Sequence, residues 1–195
     1  MDDLGPNKAH LFCTAARAVP GDVLVDLGVR EGVSSFTMMD ATYGQECRVI
    51  GVDPAPCGFA APARYTYLQT DSVSAAAMIE PPLYMVFFDT LHIKEQVMAE
   101  LFHYWPKIRV GGWAVFHDTE WESWRHDEYL GIVWGHPVEG VNAFFADAAD
   151  HIVRVHYPES HGMTFIQKMD DWNPVVPGMD AALEASRALT KHVCG

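Results

Sequence analysis

Asp89-Thr90-Leu91-His92 and His117-Asp118 are the residues of this chain best suited to chemistry. Each group follows an apolar run, residues 84–88 and 113–116, of the kind that forms a buried strand. Neighbouring strands of one sheet bring the side chains at their ends together, however far apart these lie in sequence. Carboxylates gathered in this way suit a hard divalent cation such as Mg²⁺. Histidine among them favours Mn²⁺, Fe²⁺ or Zn²⁺. Histidine also titrates near neutral pH, so His92 can take a proton from a hydroxyl that such a cation has acidified. The set reads as a metal site of Asp89, His117 and Asp118, with His92 and Asp89 in catalytic roles. The plainer alternatives are a polar residue at a helix start for His92 and a packing histidine for His117.

A second stretch, residues 23–35, has its own chemistry. Apolar positions run into Asp26, followed by Gly28, Gly32 and Ser34-Ser35 at the start of a helical pattern. That order predicts a buried strand, a glycine turn and a helix capped near Ser34. Such a turn lets backbone N–H groups approach a ligand closely. A dinucleotide fingerprint needs Gly-x-Gly-x-x-Gly, which is missing, and does not ask for an acid where Asp26 stands. The carboxylate suits a cationic ligand better than a pyrophosphate, and S-adenosylmethionine, with its ammonium and sulfonium charges, is such a ligand.

The elements that must position these residues follow in order. A helix over 8–19 carries Leu11, Phe12, Ala15, Ala16 and Val19 and stops at Pro20-Gly21. Strands are predicted at 23–27, 48–52 (ending in Asp53) and 65–69, with Asp71-Ser72 capping a short helix over 73–79. Strand four, 84–88, leads into a helix with Val97, Met98, Leu101, Phe102, Trp105 and Ile108 on one stripe and Glu100 off it. Gly111-Gly112 turns the chain into strand five, 113–116. Residues 119–137 read as irregular, 141–149 as a helix, 152–156 and 163–168 as strands, and 179–193 as a helical tail. Apolar strands alternating with helices imply a parallel sheet covered on both faces. The short connection 157–162 is too small for a parallel crossover, so the last two strands should form an antiparallel hairpin.

Bulk properties narrow the classes. A chain of 195 residues fits one domain, with a helix at 8–19, a core at 20–170 and a tail at 171–195. The formal charge of −13, with no basic stripe, argues against a nucleic-acid partner. No run approaches a membrane span, and the acidic start is unlike a signal peptide. Cys13, Cys47, Cys57 and Cys194 show no paired spacing, which favours reduced thiols in a cytoplasm.

Taken together, Asp26-x-Gly28-x-x-x-Gly32, Asp53 after strand two, Asp71-Ser72 after strand three, Asp89 after strand four and Gly111-Gly112 before strand five resemble the class I S-adenosylmethionine-dependent methyltransferase family over residues 20–170. The resemblance implies a Rossmann-like α/β fold, with a seven-stranded, mostly parallel sheet in the order 3-2-1-4-5-7-6. Ligands then bind beyond the carboxyl ends of the strands. It also implies a cofactor set. Gly28 and Gly32 lie at the methionine part with Asp26, and Arg30 and Ser34 belong to the same loop. Asp53 sits at the ribose hydroxyls, and Asp71 and Ser72 by the adenine.

The loop departs from the family in having Arg30-Glu31 where many members carry a third glycine. Its Gly-x-x-x-Gly-x-Ser form resembles the branch of small-molecule and sugar O-methyltransferases and cephalosporin-hydroxylase-like proteins. His92 and His117 stand where the catechol-type, metal-dependent branch has a lysine and an acid. The expected activity is O-methylation of a small-molecule or sugar hydroxyl, assisted by Mg²⁺ or another divalent metal. A cofactor-binding module without transfer and an NAD-dependent oxidoreductase are the competing classes. The Trp-rich segment 119–136 either roofs an acceptor pocket, packs on the sheet or makes a contact between copies of a homo-oligomer, and the residues do not separate these readings.

Overall fold

The computed structural model describes residues 4–120, 125–127, 132–134 and 137–194. The first half alternates strand and helix: α1 (Asn7–Ala15), β1 (Val23–Leu27), α2 (Val33–Ala41), β2 (Arg48–Val52), β3 (Tyr65–Leu68) and the short α3 (Ser72–Ala75). There follow β4 (Leu83–Phe88), α4 (Lys94–Tyr104), β5 (Ile108–His117), β6 (Arg125–Asp127), β7 (Ile132–Trp134), α5 (Pro137–Phe144), β8 (Ile152–Tyr157), β9 (Met163–Lys168) and α6 (Met179–Cys194). Strands β3-β2-β1-β4-β5-β9-β8 form one sheet. Counted without β6 and β7, which pair separately with each other, this is the order 3-2-1-4-5-7-6. The first five strands are parallel, and β9 runs antiparallel to both β5 and β8, as the short connection requires.

Every side chain of β1 and β4 is buried, as befits strands covered on both faces. On one face Val25, Leu27, Phe88 and Phe116 pack against Leu101, Tyr104, Phe144 and Ala182 from α4, α5 and α6. On the other, Leu24, Met85, Phe87 and Val115 pack against Leu11 and Met38 from α1 and α2. The two layers leave the carboxyl ends of β1, β2, β4 and β5 at one edge.

Several local expectations change. Helix α1 ends at Ala15; the chain then tightens through Ala18 N–H to Ala15 C=O, and Val19 is 53% exposed rather than on the apolar face. Strand β5 starts at Ile108, before the glycines. Leu83 pairs with Ile108 and Met85 with Trp113, so residues 109–112 bulge and Gly112 sits against the Tyr84 carbonyl, where a Cβ would lie 2.7 Å from its oxygen. The predicted stripe of α4 is wider and shifted. Phe102 is exposed, whereas Gln96 and Glu100 are buried, because this helix packs against both α5 and α6 besides the sheet. Within 119–137 the chain forms two short strands, and the helix expected at 141–149 begins at Pro137. Trp121, Glu122 and Trp124 lie outside the described residues. No described helix is long and apolar enough to cross a membrane.

Candidate active site

Three strand ends are knitted together at the sheet edge. The Gly28 N–H donates to Val52 C=O at 2.9 Å, and the Asp89 N–H donates to Leu27 C=O at 2.9 Å. Gly28 has φ +88°, and a Cβ there would lie 1.9 Å from the Asp89 carbonyl oxygen. Glycine is thus required both by conformation and by the approach of two strands. Gly32, in the left-handed region at φ +83°, rather than Ser34, stands at the N-cap of α2, and the Phe59 ring lies across it. Arg30, at φ +47°, donates its N–H to Asp53 Oδ2 at 2.9 Å, and Ala55 N–H donates to Asp53 Oδ1 at 2.8 Å. The Asp53 carboxylate is therefore fixed beside the glycine turn, with lone pairs left on both oxygens. Asp71 caps α3, accepting from Ser74 N–H at 2.8 Å.

Asp26 and Ser34 do not lie on the outer surface of the loop. Asp26 is fully buried under the first turn of α2, where Oδ2 accepts from the Ser34 hydroxyl at 2.7 Å and from Ser35, which also meets the Tyr65 hydroxyl. Its Oδ1 has no partner among the described residues. Burial pushes the Asp26 carboxyl up to about 7 against the opposing pull of the two serine hydroxyls. The folded state therefore holds this proton at pH values where the unfolded chain, with an ordinary value of 3.8, has lost it. Stability declines as pH rises between those limits, and the cost is complete above neutral pH. Asp26→Asn is accordingly expected to stabilise the protein at pH 8 by about 2–4 kcal/mol, with the gain vanishing near pH 4. Thermal unfolding measured across that range checks it; a gain independent of pH would remove Asp26 ionisation as the cause.

At the ends of β4 and β5 the acids and histidines converge. Asp89, His92 and Asp118 each offer one ligand atom, and these atoms all lie within 4.8 Å of one another. His92 Nε2 is 3.4 Å from Asp89 Oδ1 and 3.2 Å from Asp118 Oδ2. His117 is buried behind them, its Nδ1 3.2 Å from Asp118 Oδ1 and 3.6 Å from Asp89 Oδ2. His117, the other expected ligand, meets both carboxylates from the buried side, and His92 completes the group from the solvent side. Burial alone would lower the basicity of His117, but the facing Asp118 and Asp89 carboxylates raise it to about 10. Burial likewise works against the Asp89 charge, yet contact with His117 and His92 holds its carboxyl well below the usual range. Two hard carboxylates with an imidazole are a donor set that accepts Mn²⁺, Fe²⁺ or Zn²⁺ as readily as Mg²⁺.

Asp118 has φ +55°, a conformation that Asp tolerates better than most residues with a Cβ. The β8–β9 hairpin holds it there. Thr119 N–H donates to Gly162 C=O at 3.3 Å, Glu120 N–H donates to His161 C=O at 2.6 Å, and the Thr164 hydroxyl donates to that of Thr119 at 3.0 Å.

Ser72, expected beside the adenine, turns its hydroxyl inward to Glu100 Oε1 at 2.5 Å. Sequence reasoning missed Glu100, along with Ser35 and Tyr65 of the Asp26 network. The available signal for Glu100 was its place three residues after Val97 and four before Tyr104, both on the buried face of α4.

Residues 25–119 match a family model described as a methyltransferase domain. No curated protein matches the chain. Among solved structures, a protein of Corynebacterium glutamicum aligns with a TM-score of 0.66 at 14% identity, covering 86% of this chain and 82% of that one. The SAH-bound methyltransferase PaMTH1 of Podospora anserina aligns with a TM-score of 0.62 at 14% identity, over 84% and 78% of the two chains. The MycE methyltransferase of the mycinamycin biosynthetic pathway, in complex with Mg, SAH and mycinamycin VI, gives 0.61 at 19% identity, covering 89% of this chain and 51% of that one. The matched span, just under half of the chain, is thus similar to a methyltransferase domain, and the sheet order is that of the class I, S-adenosylmethionine-dependent methyltransferase fold.

Proposed function

We propose that the domain transfers a methyl group from S-adenosylmethionine to a hydroxyl of a small molecule or sugar, with a divalent cation held by Asp89 and Asp118 and with His92 as general base. The observation that carries this reading is the convergence of Asp89, His92 and Asp118 one strand away from the Gly28 turn. Gly28, Gly32 and the Arg30 backbone shape the cradle for the methionine part, Asp53 accepts from the ribose hydroxyls, and residues 71–72 border the adenine. A divalent cation held by Asp89 and Asp118 would supply Lewis acidity to the acceptor hydroxyl. His92 Nε2 takes the hydroxyl proton as the O–CH₃ bond forms and the sulfonium S–CH₃ bond breaks, and the fixed strand ends supply alignment. His117, buried behind the group, orients both carboxylates from below.

The acidic chain supports a small-molecule acceptor over a polyanionic one, and the free thiols of Cys13, Cys47 and Cys57 support a reducing cytoplasm. MycE, with its Mg, SAH and macrolide, favours the same substrate class by analogy.

Isothermal titration tests both halves of the site. SAH is expected to bind the wild-type protein without added metal, and Mn²⁺ to bind with an affinity that drops at least about tenfold in Asp118→Asn. Asparagine also tolerates the backbone conformation at 118, so the variant should fold. Absence of SAH binding at millimolar concentration would sink the donor half of the proposal; equal Mn²⁺ affinity in the two proteins would sink the metal half.

A further inference from the structure

Glu100 is the one fully buried carboxylate of α4, and the reaction described above does not use it. Its Oε1 accepts from Ser72 at 2.5 Å, Thr90 at 2.7 Å and Gln96 at 2.9 Å. Gln96 also donates to the Ser72 hydroxyl at 3.0 Å and accepts from Ser186 of α6 at 2.8 Å. The Ser72 carbonyl accepts from the Tyr104 hydroxyl at 2.7 Å. Three donors thus crowd one carboxylate oxygen, while Oε2 has no partner among the described residues. A pocket lined by Phe88, Thr90, His92, Glu100, Phe116 and His117 lies beside it.

A buried carboxylate is costly to keep unless hydrogen bonds satisfy it, and a satisfied buried network rigidifies the segments it joins. The partners here are telling. Ser72 follows Asp71 at the adenine side of the site. Thr90 follows Asp89, and His92 stands two residues further on. These segments come after different strands, β3 and β4, and both are tied to Glu100 Oε1. Simple packing of α4 would be served as well by Met at this position, which would place no acceptor under the two hydroxyls.

We propose that Glu100 is a positioning residue that fixes the donor half and the acceptor half of the site relative to each other, holding residues 71–72 through Ser72 and residues 89–92 through Thr90. The inference rests on the methyltransferase reading above, because it needs a cofactor at one segment and a metal-assisted acceptor at the other. It assigns Glu100 no contact with either ligand.

The test pairs binding with single deletions of each arm. SAH and Mn²⁺ affinities are measured by titration calorimetry for the wild type, Glu100→Gln, Ser72→Ala and Thr90→Val, with thermal unfolding as the control for folding. Ser72→Ala should weaken SAH alone by about tenfold and Thr90→Val should weaken Mn²⁺ alone by a similar factor; Glu100→Gln, whose neutral amide oxygen holds the three donors more weakly than a carboxylate oxygen does, should weaken both. Hydrogen exchange should quicken at residues 71–73 and 90–93 together in Glu100→Gln, and at only one of the two segments in each hydroxyl variant. A merely structural glutamate would instead shift the melting temperature of Glu100→Gln while leaving both affinities and both segments as in the wild type, and that result overturns the proposal. Equal losses of SAH and Mn²⁺ affinity in each hydroxyl variant would overturn it too, since the two arms would then not be separate. Should Glu100→Gln fail to fold, the opposite selectivities of Ser72→Ala and Thr90→Val still decide the matter. Failure of the wild-type protein to bind SAH at all would instead overturn the methyltransferase reading, and this proposal with it.

Discussion

His92→Ala is expected to lower kcat/KM for methyl transfer by about 10²–10⁴, the range that a positioned general base contributes, with SAH affinity unchanged. The expectation follows from position. His92 Nε2 lies within 3.4 Å of both carboxylates that would hold a cation, so a hydroxyl drawn to that cation arrives next to the imidazole. Metal titration on the same variant separates two ways of losing activity. If Mn²⁺ affinity holds while kcat falls, the imidazole acts on the proton. If affinity collapses along with activity, His92 serves as a ligand. Turnover within threefold of wild type would remove the residue from both roles.

The second large effect belongs to Gly28→Ala. The residue combines φ +88° with a Cβ position 1.9 Å from the Asp89 carbonyl oxygen, and neither a rotamer change nor a flexible side chain can relieve a clash with backbone. Strands β1 and β4 must separate, or the turn must change its path. A loss of roughly 3 kcal/mol or more is expected, equivalent to about 6–12 °C in Tm for a chain of this size. Because the displaced backbone is that of Asp89, Mn²⁺ affinity should fall as well as SAH affinity. Thermal unfolding and both titrations on one preparation check this; a stable variant with intact SAH binding but poor Mn²⁺ binding would place the strain wholly on β4.

The fold was legible in the sequence because its signals are local and repeated. Apolar runs bounded by acids or glycines located β1 to β4, and the short connection 157–162 dictated the antiparallel hairpin. The site was legible to the extent that it sits on backbone. Gly28, Asp53, Asp89 and Asp118 fall at strand ends, where a sheet order is enough to bring them together. Side-chain direction was another matter. Whether Ser34 caps α2 or turns down to Asp26 depends on Gly32 having entered the left-handed region two residues earlier. From which side each histidine meets the carboxylates depends on pleat: His117 still belongs to β5 and meets them from beneath at 3% exposure, whereas His92 lies beyond the end of β4 and reaches Asp118 from the loop. Glu100 escaped because a charged residue on an apolar helix reads as solvent-facing by default. Only the packing of α4 between α5, α6 and the sheet, which is a long-range property, buries it. The glycines of β5 misled in a similar way, marking a bulge inside the strand rather than its start.

The hydrogen bonds that Thr119 and Glu120 donate to the β8–β9 hairpin have a consequence for how the molecule comes into being. A nascent chain emerging from the ribosome in N-to-C order can pair β1, β2 and β4 and shape the Gly28 turn long before residues 160–164 exist. Asp118 cannot be locked at φ +55° until those residues have been made and β9 has slotted in beside β5. The proposed methyl-donor cradle is therefore an early product of synthesis, and Asp118, the proposed metal-holding acid, a late one. A ribosome-bound or truncated chain lacking the hairpin should capture SAH yet remain inert toward an acceptor.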